Sequence, residues 1–432
     1  MLRFAQSPTS DMDIGNLRVA LFNYILSKQL DEELLIRIDD TNKEKNIENK
    51  DKEILETLAL FSIDYSRVLI QSENIKYHTG MAMKLLLDKK AFNCFCSDEA
   101  LAQDKEKAKK DGKAYSYSGF CETISDETKF HCNAPFVVRM KKPDHNIKFN
   151  DLFKGELDYT KEEVDSVIIL NHDKTPTYDF ACAVDDMLFD ISTVIRDEEY
   201  LDNTPKQIHL REALGYDKKI KYAHLPTIIN KQTAEKLSSD DKELTVNKLV
   251  EKGYLPAAIA NYIVLLGFDT PKEVFTIEEA IEWFDIDKLS PDSVEFDMDK
   301  LNHINKEHLK LLDDLRFSKI LGYADEDIGK LGKLYIEECN SINNIKDKIK
   351  TVFSQKKPLE GYEDEFISLK ECLERAPFIE EFDELKKYIS SKTELSDEKL
   401  IKTLSYALTG DANESNIERI YPLIRNYLGE II

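Results

Sequence analysis

No stretch of apolar residues in this chain reaches membrane-spanning length. The run AIANYIVLLG (258–267) is too short to cross a bilayer, so no membrane partner is expected. No internal repeat and no low-complexity tract is visible, which argues against a stacked-repeat architecture. Cysteine is scarce and odd in number, seven in 432 residues. The first residues already read as a strand, so no signal peptide is expected, and the thiols are read as reduced, in the cytosol. Positive charge is also short. There are 60 Lys and Arg against 83 Asp and Glu, a formal net charge of −23. That excludes whole-surface, non-specific binding to nucleic acid. It leaves room for a local basic groove at RMKKP (139–143) or DKKIKY (217–222), although each alone reads as a solvated face.

What is present is enough for two or three domains with ample core. The first third alternates strand and helix. LRFA leads into a helix with Ile14, Leu17, Leu21 and Ile25 on one face. ELLIRI (33–38) and RVLIQS (67–72) are further strands, each followed by a helix. This alternation implies a parallel sheet. Residues 91–164 break the pattern with short strands and charged turns, and read as an insertion with its own small sheet. Parallel-sheet segments resume at DSVIIL (165–170), DISTVIR (190–196) and YAHLPTIIN (222–230). From about 231 the chain reads as helical to its end.

Three groups of residues carry chemistry. Cys94, Cys96, Tyr117 and Cys121 form a Cys-x-Cys … Tyr-x-x-x-Cys pattern. Three thiolates from two turns close a tetrahedral zinc site if a fourth ligand joins them, either Tyr117 or a neighbour such as His131 or Cys132. The alternative is three partly buried thiols without metal. Arg196 ends a strand in VIRDEEYLDNTPKQ (194–207), and carboxyl ends of parallel strands are where ligands bind. Its planar fork suits a carboxylate, unless it is tied to Glu198 or Glu199 in a structural salt bridge. Arg3 and Arg37 carry the same ambiguity. KLSSDDKELTVNKLVEKG (236–253) taken alone is a loop and a helix cap.

Taken together and in order, these segments resemble bacterial glutamyl-tRNA synthetases, class I aminoacyl-tRNA synthetases. RFAQSPTSDMDIGN (3–16) is similar to the family's RFAPSPTG…HIG, and RIDDTN (37–42) to RIEDTD. TPTYDFACAVDD (175–186), IRDEEYLDNTPKQ (195–207) and KLSSD (236–240) resemble the tyrosine loop, the IRGEDH…NTP segment and the KLSKR loop. The resemblance implies an α/β fold: a Rossmann-like parallel-sheet catalytic domain (1–90 and 165–230) with a small α+β acceptor-binding insertion (91–164). A stem-contact domain carrying the ATP loop (231–305) and an all-α anticodon-binding domain (306–432) follow. It further implies ATP-dependent activation of glutamate to glutamyl-adenylate, then transfer to the 3′ end of tRNA, in a monomeric cytoplasmic enzyme. The tRNA would be that for glutamate, with that for glutamine as a second candidate. Arg3, Ser7, Asp39, Tyr178 and Arg196 would hold glutamate. Ile14, Gly15 and Lys236 would bind ATP, and Lys236, Ser238 and Asp13 would act in catalysis. Some members hold zinc at positions matching Cys94, Cys96, Tyr117 and Cys121.

The departures from the family pattern cluster in the ATP half. Asp13 stands for the phosphate-facing histidine, Ser239 and Asp240 for the loop's lysine and arginine, and Asp197 for a glycine. Loss of one such donor costs about 10²–10³ in rate. Impaired activation is therefore expected, or a magnesium ion held by Asp13 with Asp240 or Asp241 in place of the lost cations. The other reading is a non-catalytic tRNA-binding paralog.

Overall fold

Strand β1 (Leu2–Gln6) is buried along nearly its whole length. It feeds helix α1 (Ile14–Leu30), whose N-cap is Asp13. The next strand, β2 (Leu34–Ile38), is buried at every position. Burial of every position, Arg37 included, suits a parallel strand covered on both faces. Helix α2 (Lys50–Leu60), strand β3 (Arg67–Ile70) and helix α3 (Ile75–Leu87) complete the first half. The computed structural model describes all residues except 113–114, 238–243 and 396.

After α3 come β4 (Ala91–Cys94), α4 (Asp98–Lys110), α5 (Asp126–His131), β5 (Val137–Met140), β6 (Ile147–Asp151), β7 (Gly155–Tyr159) and β8 (Ile168–Leu170). The second half follows as α6 (Tyr178–Leu188), β9 (Thr193–Asp197), α7 (Thr204–Leu214), β10 (Lys221–Leu225) and β11 (Ile228–Asn230). A seven-stranded sheet runs β3-β2-β1-β9-β10-β6-β7. Pairing is parallel from β3 through to β6, and β6 and β7 form an antiparallel hairpin at the edge. Strand order reverses between β1 and β9. In a doubly wound sheet the crevice at the carboxyl ends of such strands is the ligand site. Gln6 and Asp197 end the two strands that flank it.

Strand partners differ from the sequence reading in three places. DSVIIL does not join the parallel sheet: β8 pairs antiparallel with β5 in a separate β4-β5-β8 sheet. A turn from Asn171 to Thr175 folds the chain back, and Leu170 bridges Pro176. Conversely, β6, read as part of a small separate sheet, extends the main one. It buries Ile147, Phe149 and Asp151 and exposes Lys148 and Asn150, the alternation of a strand covered on one face. YAHLPTIIN is two strands, because Pro226 offers no N–H to a ladder; β11 instead pairs with β12 (Val294–Phe296), a strand within the region read as wholly helical.

The described residues fall into two compact units, Met1–Asn247 with Ile263–Phe296, and Lys248–Tyr262 with Asp297–Ile432. The second is helical, and its apolar interior includes Leu309, Phe317, Leu331, Ile345, Leu369, Leu404 and Ile420.

Candidate active site

The carboxyl ends of β1, β2 and β9 open into one cavity of about 180 Å³. That is small beside the ~300–1,000 Å³ of drug-sized ligand pockets, and fits an amino acid better than a dinucleotide. Arg3, Ser7, Asp39, Tyr178 and Arg196 all line it, with Thr9, Ser10, Asn16, Asp197 and Tyr200.

The three arginines around this cavity are anchored differently. Arg3 donates from Nε and Nη2 to the two oxygens of Asp186, at 3.2 and 3.4 Å. Arg37 donates to the same Asp186 at 2.8 Å and grips Asp39 through Nε at 2.6 Å. Its Nη2 also reaches the thiol of Cys182 at 3.1 Å. Burial pushes the carboxyl of Asp186 up, but Arg3, Arg37 and Arg211 outweigh it and hold it well below the usual range. Arg196 has no acid among its hydrogen-bond partners. Nε meets His224 at 3.1 Å, Nη1 meets the carbonyl oxygen of Gln207 at 3.1 Å, and Nη2 meets the hydroxyl of Thr204 at 2.6 Å. The salt bridge to Glu198 or Glu199 does not form. Glu198 accepts from Lys154 at 2.6 Å and from Thr227, and Glu199 pairs with Lys236. Both acids lie in a turn of 3₁₀-helix, Glu198–Asn203, that directs the chain away from the strand.

The other end of the cavity is acidic. Asp13 accepts from the N–H of Asn16 at 2.7 Å, and Asn16 returns a bond to the N–H of Asp13 at 3.4 Å. This reciprocal cap satisfies donors of a helix N-terminus. Burial raises the carboxyl pKa of Asp13, against the lowering effect of the Asn16 bond. Ile14 is buried at the start of α1. Gly15 is a close approach: a Cβ there would lie 3.2 Å from Asp13 Oδ1 and 3.9 Å from both Asp197 oxygens. Burial, then the charges of Asp13 and Glu199, push Asp197 up to about 6. Lys236 is half exposed and bound to Glu199, and its charge reaches both Asp13 and Asp197. Ser238, Ser239, Asp240 and Asp241 lie outside the described residues.

The cysteine pattern also comes together. The thiols of Cys94, Cys96 and Cys121 lie within 4.8 Å of one another. The Tyr117 hydroxyl is 3.4 Å from Cys94 Sγ and 3.5 Å from Cys96 Sγ, while Cys96 and Cys121 are 3.5 Å apart. Burial raises the Cys96 thiol to about 11, whereas bonding to Tyr117 and Arg139 lowers that of Cys94 despite burial. Cys132 is exposed, and neither it nor His131 joins the group of convergent ligands. Three sulfurs and one phenol oxygen converging on a point fit a tetrahedral, thiolate-preferring ion.

Asp186, Thr204, Gln207 and His224, all buried around the cavity, were not selected from the sequence. Asp186 carried a usable signal: α6 holds three aspartates among apolar residues, and a buried one is costly unless partners meet its charge.

Residues 1–303 match the model of the tRNA synthetases class I (E and Q) catalytic domain. Glutamate–tRNA ligase 2 of Sulfurimonas denitrificans is 49% identical over 432 residues, with 100% of both chains covered. Glutamate–tRNA ligase 1 of Nitratiruptor sp. is 48% identical, again over 100% of both. Among solved structures, a glutamate tRNA ligase from Elizabethkingia meningosepticum in complex with its amino acid superposes with a TM-score of 0.84. At 24% identity, covering 100% of this chain and 98% of that one, it bears on the fold alone.

Proposed function

The chain belongs to the class I tRNA synthetases of the glutamate and glutamine type, and we propose that its pocket selects glutamate through a buried arginine reserved for a ligand carboxylate. The reaction is that of a glutamate–tRNA ligase. The α-carboxylate of glutamate attacks the α-phosphate of ATP, giving glutamyl-adenylate and pyrophosphate. The terminal ribose hydroxyl of tRNA then takes the glutamyl group. No enzyme nucleophile is needed, so catalysis is positioning and charge neutralisation.

The observation that carries this reading is Arg196, a buried guanidinium whose partners are all neutral. A carboxylate there meets an uncompensated cation and two Nη hydrogens. Arg3 keeps hydrogens not directed at Asp186 and lies in the same cavity, so it can meet the second carboxylate. Asp39 and Tyr178 would face the ammonium. Asp39 is one methylene shorter than the family's glutamate and shares its charge with Arg37, so this contact is the weaker one. Ile14, Gly15, Lys236 and Ser238 are assigned to the ATP half, where Lys236, whose charge reaches Asp13 and Asp197, would meet phosphate charge. Magnesium, which the family uses with ATP, would meet Asp13 and supply neutralisation of phosphate charge. Zinc would be held by Cys94, Cys96, Tyr117 and Cys121, and would brace the insertion rather than react. The excess of negative charge at Asp13, Asp197 and Glu199 over Lys236 supports slow activation.

The tRNA for glutamate is the expected acceptor, and charging of both transcripts separates it from that for glutamine. The second unit is the expected anticodon reader. No helix among the described residues is long and apolar enough to cross a membrane; a monomer acting in the cytoplasm remains the expectation.

The test is ATP–pyrophosphate exchange with glutamate and tRNA both present, read against a blank without tRNA, together with tRNA charging. Arg196→Ala should lower kcat/KM for glutamate roughly 100-fold, the cost of stranding a buried charge partner. Retained tRNA binding with no exchange in the wild type would turn the reading to the non-catalytic paralog.

A further inference from the structure

We propose that His224 is the positioning residue that aims Arg196 into the glutamate pocket, with Asp151 fixing which ring nitrogen remains an acceptor. The inference rests on the reading of Arg196 given above, and concerns what makes that arginine usable.

A guanidinium carries five N–H donors. Three of those on Arg196 go to interior acceptors: His224 Nε2, Gln207 Oε1 and Thr204 Oγ1. One hydrogen on each Nη is left over. A buried arginine is ordinarily balanced by an acid, as Arg3 and Arg37 are by Asp186 in the same site. Around Arg196 the acceptors hold direction without cancelling charge. Gln207 is itself fixed, because its amide N–H₂ goes to Asp179 at 3.0 Å and leaves the oxygen for the arginine.

His224 accepts at Nε2 only if the proton sits on Nδ1. Its partners assign that tautomer. Nδ1 lies 2.6 Å from Asp151 Oδ2, an acceptor. Nε2 receives both Arg196 Nε–H and the Thr204 hydroxyl at 2.9 Å, while the Thr204 oxygen accepts from Arg196 Nη2. A proton on Nε2 would face the N–H of Arg196 directly. Asp151 is held in turn by the N–H of His224 at 3.1 Å and by the turn N–H groups of Phe153 and Lys154 at 3.0 and 3.1 Å. His224 and Asp151 are fully buried. The imidazole therefore stands as a spacer. It passes on the orientation that Asp151 imposes while keeping the acid's charge one ring away from the guanidinium.

A purely structural histidine and a positioning one differ in what their loss does to glutamate. His224→Ala removes the acceptor, and His224→Gln returns a carbonyl oxygen within similar reach. Steady-state charging of tRNA by the full chain should show His224→Ala raising KM for glutamate about 10- to 100-fold, the usual weight of a bond to a charged group. KM for ATP should stay within about twofold, and His224→Gln should recover most of the loss. Circular dichroism and the thermal midpoint establish that each variant is folded. Equal rises in both KM values, no rise in a folded His224→Ala, or no recovery in a folded His224→Gln overturns the inference. Should His224→Ala fail to fold, His224→Gln against wild type decides alone: KM for glutamate within a few-fold upholds the proposal, and a rise as large as that of Arg196→Ala overturns it. Arg196→Ala separates the two claims. If it leaves KM for glutamate unchanged, the pocket reading itself fails; if it raises KM while His224→Ala does not, only the role of His224 fails.

Discussion

Asp197 follows the key arginine and faces Asp13 across Gly15. Its carboxyl is pushed from 3.8 up to about 6, first by burial and then by Asp13 and Glu199. A raised acid binds its proton more tightly in the folded chain. Its contribution to stability is complete below about pH 4 and is lost as pH rises through about 6. The full shift is worth about 3 kcal/mol at one protonation site. Denaturant unfolding of wild type against Asp197→Asn should therefore show the variant gaining relative stability between pH 4 and 6, and keeping the gain at pH 7. In the same range wild type should lose ATP affinity as the new negative charge appears, and Asp197→Asn should not; KM for ATP against pH checks it. Asp13 was legible only in part. It reads as the wrong charge for a phosphate site, but aspartate is also among the best helix N-caps, and its cap on α1 gives the residue a local reason to be there. Whether Arg196 would pair with Glu198 or Glu199 was not legible. Proximity in sequence permits it, and only the 3₁₀ turn after β9 sends those acids to Lys154 and Lys236.

The cysteine turns show how far spacing reaches at the level of elements. The pattern named all four groups that converge, but could not choose Tyr117 over His131 or Cys132, since that depends on how the 3₁₀ turn Phe120–Glu122 lies against β4. Metal analysis of the purified protein should find one zinc per chain. Tyr117→Phe should release it to a competing chelator about tenfold more readily or worse, given that even outer partners of metal ligands weigh 10- to 100-fold. Full retention of zinc by that variant would remove the phenol from the ligand set. Strand type was largely legible and strand partner was not. β8 is an apolar run, as most of β2 is, yet it has only three extended residues before its turn. Periodicity reports which faces are buried, not which neighbour buries them. The alternation of β6 indicates a half-covered strand, and an edge of the main sheet satisfies that as well as a separate sheet does.

At the scale of the whole molecule the described residues divide into two compact units, and a single unfolding transition is not expected of such a chain. Gly329 offers a handle on the second. A Cβ there would lie 1.8 Å from the carbonyl oxygen of Asp314, where helix Asp314–Leu321 packs on helix Glu326–Leu334. The backbone cannot yield as a side chain does, so Gly329→Ala should cost about 3 kcal/mol, at the upper end for overpacking. Calorimetry should show that loss in one transition only, while added glutamate raises the other. A uniform shift of the whole profile would mean that the units unfold as one. The order of segments was the most legible feature at this scale, because alternating strands and helices, a break, and a helical tail are written in the residues. One consequence of the sheet's edge bears on engineering. The stretch 91–164 resembles a detachable cassette, but β6 lies within it and carries Asp151. A graft from a relative would exchange the buried acid that holds His224 along with the loops, so chimeras should be cut after residue 140 and rejoined short of 147, or else inherit both pieces from one parent.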